Sequence, residues 1–215
     1  MNPLISLFIT GTLTTLGVAL AGLCIGMTLG CLLGIAGSRK MASPLLARAI
    51  QVYVFVMQGT PLYVQLLLMC YALPLIWNGN ISPLTAGIIT IGMNSIAYVA
   101  QIVRGGVNGV PSGQWEAAYV LGYSQSATLW YIILPQMLRT TLPALINETI
   151  SLIKETSIMG AVGIVELTKV ARDTVSRTLE PQWYIIAALI YLALTGLLGM
   201  GAQALERKFD YDKGH

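Results

Sequence analysis

Charge is what this sequence has least of. Aspartate, glutamate, lysine and arginine make up 10% of its 215 residues, where an ordinary soluble domain carries about 25%. None of the four occurs in residues 1–38, 49–103 or 181–205. So few charged groups do not make the polar shell that a soluble domain of this size needs. The 55% hydrophobic content excludes a disordered chain. Cysteine is scarce as well, with only Cys24, Cys31 and Cys70, which excludes a disulfide scaffold. Cys24 and Cys31 lie two helical turns apart, about 10 Å, beyond the reach of a disulfide, and read as small buried side chains. The only histidine is His215, so no histidine-based metal site or catalytic dyad is expected. No lysine follows a glycine, which leaves no phosphate-binding P-loop. The net charge of +3 is small and dispersed, and no nucleic-acid-binding surface is expected.

What the sequence has instead is long apolar runs. A hydrocarbon core about 30 Å thick takes roughly 20 helical residues to cross, and a charge at its centre costs several kcal/mol. The first charge-free run holds one crossing, the second two and the last one. The second run divides at Trp77, Asn78, Gly79 and Asn80, a polar turn signal followed by Ser82 and Pro83. A further crossing is apolar overall but carries Asn147, Glu148, Lys154 and Glu155. The expectation is a single all-α integral membrane domain over residues 1–215, with five transmembrane helices at about 8–37, 50–76, 83–104, 138–160 and 182–205. Continuous runs favour helices over the alternating segments of a barrel. Their length, and a start at Met1-Asn2-Pro3 with no basic residue, argue against a cleaved signal peptide.

Lysine and arginine set the orientation. Arg39, Lys40 and Arg48 in the first loop assign it to the cytoplasm, which leaves the N-terminus outside and the C-terminus inside. Arg104, Arg139, Arg207, Lys208 and Lys213 fall on the same inner side. The segment 161–180 falls outside although it holds Lys169, Arg172 and Arg177, fewer basic residues than the inner side carries.

The loop over 105–135 sits on the cytoplasmic face and carries a single acid, Glu116. Gly105, Gly106, Gly109 and the Pro111-Ser112-Gly113 turn close the preceding crossing. The Ser112 hydroxyl is a candidate N-cap, residues 114–121 form a short helix and Gly122 ends it. A second short amphipathic stretch leads to Pro135. Two readings stand: a helix resting on lipid headgroups, or an interaction knob. A headgroup helix normally carries lysine and arginine on its polar face, and this one has none, which favours the knob.

Within this loop Glu116-Ala117-Ala118, Gly122 and Ile132-x-Leu134-Pro135 resemble the EAA signature of bacterial ABC-importer membrane subunits. Gln58-Gly59-Thr60-Pro61-Leu62-x-x-Gln65, the run from Ala97 to Gly106, Leu134-Pro135-Gln136, Asn147 and Lys154-Glu155-Thr156-Ser157 resemble the polar amino-acid subfamily, the histidine/arginine/glutamine-type permeases. The resemblance covers residues 50–210. Two positions depart from it, Gln58 where the family commonly has arginine and Gln101 where it commonly has glutamate. It implies a type I ABC importer permease fold in the bacterial inner membrane and a transport subunit rather than an enzyme. It also implies that Glu116, Ala117, Ala118 and Gly122 form the coupling helix docking on a separate ATPase subunit. No cofactor is expected in this chain, ATP and Mg being held by that ATPase. The expected partners are the ATPase, an extracytoplasmic amino-acid-binding protein meeting residues 161–182, and a second permease copy, identical or similar. A secondary transporter or channel independent of ATP is the alternative, although such proteins often carry inverted repeats and no repeat is evident here.

Ionisable groups inside a membrane helix face a cavity or a partner. Asn147, Glu148, Ser151 and Glu155 follow one another at intervals of one, three and four, which puts them on one polar stripe. Two carboxylates there suit the ammonium of an amino acid and a cationic side chain, and Lys154 suits its carboxylate. The resemblance places the family's substrate cavity in the same region. The other reading is an internal ion pair, Lys154 neutralising Glu155. Gln65, Asn94, Tyr98 and Gln101 read first as helix–helix hydrogen-bonding groups. Glycines 22, 26, 30, 34 and 37 form a smooth groove for close packing, while Thr14, Thr15 and Thr28 bond back to their own helix.

Overall fold

The computed structural model describes residues 3–211, and every regular element there is helical. Lys213 and His215 lie outside the described residues, as do the side chains of Arg207 and Lys208.

The groove of glycines organises the molecule. Helix α1 (Pro3–Ala36) packs along α5 (Pro83–Gly109), with Gly22, Gly26, Gly30 and Gly34 meeting Ile91, Ser95, Val99 and Val103 in turn. Both sets advance by four residues in the same direction, so the two helices run parallel. A Cβ on Gly30 would stand 2.6 Å from Val99 Cβ, and one on Gly34 2.7 Å from Val103 Cβ. Only glycine lets the backbones approach this closely.

Between two parallel helices the chain must travel back. It does so in pieces. Helix α2 (Pro44–Gly59) starts behind Ser43, whose hydroxyl accepts from Leu46 N–H, with Pro44 at a first-turn position where no donor is needed. It stops at Thr60, which precedes Pro61 and is held extended at φ −114°, ψ 140°. Helix α3 (Leu62–Leu67) leaves at 100°. The crossing expected at about 50–76 therefore falls on a bent pair of helices. A π-helical turn (Leu68–Ala72) joins α3 to α4 (Leu73–Trp77). Pro74 has no N–H to donate, and the wider turn immediately before it absorbs the mismatch. Asn78 then takes a left-handed conformation, φ 53°, and Ser82 caps α5 by accepting from Thr85 N–H.

The same device recurs on the far side. Helix α6 (Ser112–Val120) and the single turn α7 (Gln125–Thr128) lead through a second π-helical turn (Leu129–Ile133) to α8 (Leu134–Glu155), with Pro135 in its first turn. Helix α8 runs antiparallel to α5: Gly106 meets Met137 and Thr141, Ser95 meets Glu148, and Gly87 meets Met159. It begins before residue 138 and continues as a 3-10 helix (Thr156–Val162) that turns at Gly163, φ 89°. Helix α9 (Leu167–Thr178) crosses the start of α1 at Gly11. Helix α10 (Gln182–Tyr211) begins where Trp183 meets Phe8 and runs parallel to α1 as far as Tyr191, which packs against the cluster holding Val18 and Ala19. By length and composition α1, α5 and α10 suit a membrane crossing, and a fourth is added if the bent pair is one span.

The apolar core sits where these passes meet. Val18, Ala19, Leu66, Ile91, Leu152, Ile153 and Met159 bring α1, α3, α5 and α8 together. Cys24, expected buried, is exposed on α1, and Cys31 is half-buried; all three cysteines are free.

Candidate functional site

Helix α8 presents three faces. Leu145, Leu152 and Ile153 are buried against the core; Glu148, Ser151 and Glu155 are half-buried; Asn147 and Lys154 are exposed. The expected stripe thus has a sheltered centre and an open edge. Glu148 Oε1 accepts a hydrogen bond from Ser95 Oγ at 2.9 Å, which ties it to α5 at the glycine groove. Glu155 lies two turns on, about 10 Å along the axis. Lys154 and Glu155 are consecutive, so their side chains leave the helix about 100° apart. No ion pair joins them. Among the described residues the one salt bridge is Lys169 to Asp173, 2.8 Å, on α9.

A cleft of about 830 Å³ opens between α2, α5 and α8. Gln58, Tyr98, Gln101, Gln136, Thr140 and Thr141 give it polar walls, and no charged side chain lines it. Its mouth reaches Gly109, Val110 and Pro111 at the base of α6, and its other end reaches Ala144, one turn before Glu148. The two residues that depart from the family pattern, Gln58 and Gln101, both line this neutral passage. Tyr98 and Gln101 are exposed to it.

Gln65 and Asn94 are structural, as read. Gln65 Nε2 donates to Met57 O at 2.8 Å and to Thr60 Oγ1 at 2.8 Å, while Asn94 Nδ2 donates to Met57 O at 3.2 Å and Gln65 Oε1 at 3.3 Å. They satisfy carbonyls left open where α2 ends, which is how the bend is held inside an apolar bundle.

At the mouth, α6 stands clear of the bundle. Trp115 and Ala118 hold it down, while Glu116 and Ala117 are exposed, and Tyr119, Val120 and Leu121 remain 82%, 83% and 74% exposed. Gly122, φ 82°, ends it, with Gly122 N–H donating to Tyr119 O and Tyr123 N–H to Ala118 O. The expected cap is corrected: Ser112 is the first helical residue, Pro111 holds the N-cap position, and no side chain caps the helix.

The opposite end is closed. Glu166 is 1% exposed and takes the N-cap of α9, accepting from Thr168 N–H and Lys169 N–H at 2.7 Å each and from Tyr191 OH at 3.2 Å. Burial pushes its carboxyl above the usual range, and these donors pull it back. Thr15, expected to bond within α1, instead accepts from Leu167 N–H at 3.2 Å. Glu166 is not among the residues singled out from the sequence. The signal was an acid directly before an amphipathic helix.

The neutral cleft reaches to within one turn of Glu148 and opens beside the protruding α6. The model of the binding-protein-dependent transport system inner membrane component family matches residues 22–210. The chain belongs to that family. This amino-acid ABC permease is 38% identical over 210 residues to the glutamine transport system permease protein GlnP of Escherichia coli (strain K12), covering 96% of this chain and 94% of the relative. It is 35% identical over 202 residues to the L-cystine transport system permease protein TcyB of Bacillus subtilis (strain 168), covering 93% and 85%. A crystal structure of an amino acid ABC transporter with histidines superposes at TM-score 0.86 and 36% identity, covering 95% and 94%. The inward-facing MetNI methionine ABC transporter superposes at TM-score 0.85 and 19% identity, covering 97% and 99%, a likeness of fold. Both named relatives are described as transport system permease proteins.

Proposed function

We propose that the permease is one of two copies, or one copy beside a similar permease, in an ATP-driven importer of polar amino acids in the bacterial inner membrane. In this reading it crosses five times, N-terminus outside. The passes α1, α5 and α10 run one way, the bent α2–α4 and the polar α8 the other, and the inner ends gather Arg39, Lys40, Arg48, Arg104 and Arg139. An extracytoplasmic binding protein meets the α9 end. A separate ATPase, holding ATP and Mg, grips α6 around Glu116, Ala117 and Ala118. Closure of the ATPases and binding of ligand each favour one of two states, and transport is the coupling between them.

The observation that carries the substrate reading is the pair Glu148 and Glu155, half-buried with no basic partner within ion-pair distance among the described residues. Unneutralised carboxylates in lipid await a cation. One takes the substrate ammonium and the second favours a cationic side chain, arginine-like, with Asn147, Ser151 and Lys154 on the rim for the substrate carboxylate. Exposed Asn147 and Lys154 also need a wet or proteinaceous neighbour, which supports a second permease across the pathway. Glutamine is the second reading, favoured by the 38% identity to a glutamine permease and by the neutral cleft.

Uptake by the reconstituted complex decides between them. Glu148→Gln lowers arginine uptake about tenfold more than glutamine uptake, the cost of one charge-assisted hydrogen bond. Equal loss for both substrates removes the cationic reading.

A further inference from the structure

A second cavity, of about 640 Å³, opens where the first loop meets α2 and the end of α5. Arg39, Arg104, Gln51, Gln101 and Asn108 supply its polar lining, and Pro44 and Ala47 form the α2 wall. No acid lines it, and the sequence has none before Glu116. Neither arginine enters an ion pair among the described residues. The loop is anchored rather than loose: Arg39 N–H donates to Asn108 Oδ1 at 2.9 Å, and Gln125 Nε2 donates to the Lys40 carbonyl. Two guanidinium groups therefore share one cavity, on backbone fixed from both sides, with no protein charge to offset them.

The cavity does not end in water alone. One turn along α2 from Gln51 stands Phe55, about 40° around the helix, and Leu45, Val52 and Phe55 make an exposed apolar strip beside the cavity wall. A free anion satisfies the guanidinium groups and leaves this strip unused. An amphiphile with an anionic head uses both.

We propose that this cavity holds the phosphate-bearing headgroup of an anionic phospholipid, with its acyl chains along Leu45, Val52 and Phe55. Arg39 and Arg104 donate to the phosphate oxygens, and Gln51 and Asn108 complete the shell. The lipid then bridges α1, α2 and α5 at the end of the bundle where the first loop turns.

Native mass spectrometry of the purified complex tests this, with phosphatidylglycerol, phosphatidylcholine and inorganic phosphate as probes. Phosphatidylglycerol is retained in preference to phosphatidylcholine. The Arg39→Gln/Arg104→Gln double variant loses about thirtyfold in that retention, from about fivefold per cationic group. The corresponding double lysine variant keeps most of it. Should the double glutamine variant fail to assemble, Arg39→Gln alone, in an exposed loop, carries the test with a loss of about fivefold. Equal retention of the two lipids, or unchanged retention in the variants, overturns the proposal. Displacement of the lipid by inorganic phosphate also overturns it, in favour of a free-anion site.

Discussion

The two ends of this permease solve opposite problems. At the α9 end every polar group of the cap is spoken for: Glu166 closes the first turn of α9, Tyr191 and Thr15 reach in from α10 and α1, and Arg172 Nη2 donates to Gly160 O at 3.0 Å. Leu167, Val170 and Ala171 are buried beneath it. At the α6 end a short helix is held by Trp115 and Ala118 while Tyr119, Val120 and Leu121 face outward. The cap of α9 is satisfied within one chain. The α6 end leaves apolar side chains exposed on a short helix, which the ATPase would cover in the proposed importer. The difference separates residues that hold the fold from residues left free for the proposed interface.

Substitutions at the two ends should therefore break different things. The largest effect expected is from Glu166→Ala, which leaves buried N–H groups of α9 and the Tyr191 hydroxyl without an acceptor. It costs about 3 kcal/mol of stability, read as a fall in thermal midpoint of the purified protein. A midpoint equal to wild type would mean the cap is ornamental. Next is Glu116→Lys, which reverses the one charge on the knob and weakens ATPase docking by about 2 kcal/mol while the thermal midpoint stays put. ATPase co-purification reads it, and full retention of the ATPase would contradict the assignment. Smallest is Gly122→Ala, which forces a Cβ into a left-handed residue at about 1 kcal/mol. Its thermal midpoint drops slightly, and uptake declines as the turn that presents α6 loosens. No change in either would show that the turn tolerates strain freely.

What could be read from the sequence depended on how local the cause was. The glycines at 22, 26, 30 and 34 announced a groove because spacing by four puts them on one helical face, and α5 fills it. Gly122 announced the end of α6 for an equally local reason. The bend at Thr60 and Pro61 was hidden inside a charge-free run, where composition gives no sign of a break; the pre-proline restriction was the one available cue. Gln65 and Asn94 were legible as hydrogen-bonding groups, but not that they serve the bend. Thr15 was misread because its partner, Leu167, lies 152 positions away. The acid stripe on α8 was legible as a periodicity. Its division into a sheltered centre and an open edge was not, since that depends on which neighbours cover it.

Everything functional in this account turns on α6 being the surface through which a separate motor drives the bundle. Cross-linking in liposomes tests that most directly, using the reconstituted complex with its native cysteines replaced, Ala117→Cys in the permease and a short bifunctional reagent. The link should form to the ATPase subunit, uptake should stop while it is in place, and reduction should restore it. A link to the extracytoplasmic binding protein, or uptake that continues undiminished with α6 tethered, would contradict the account.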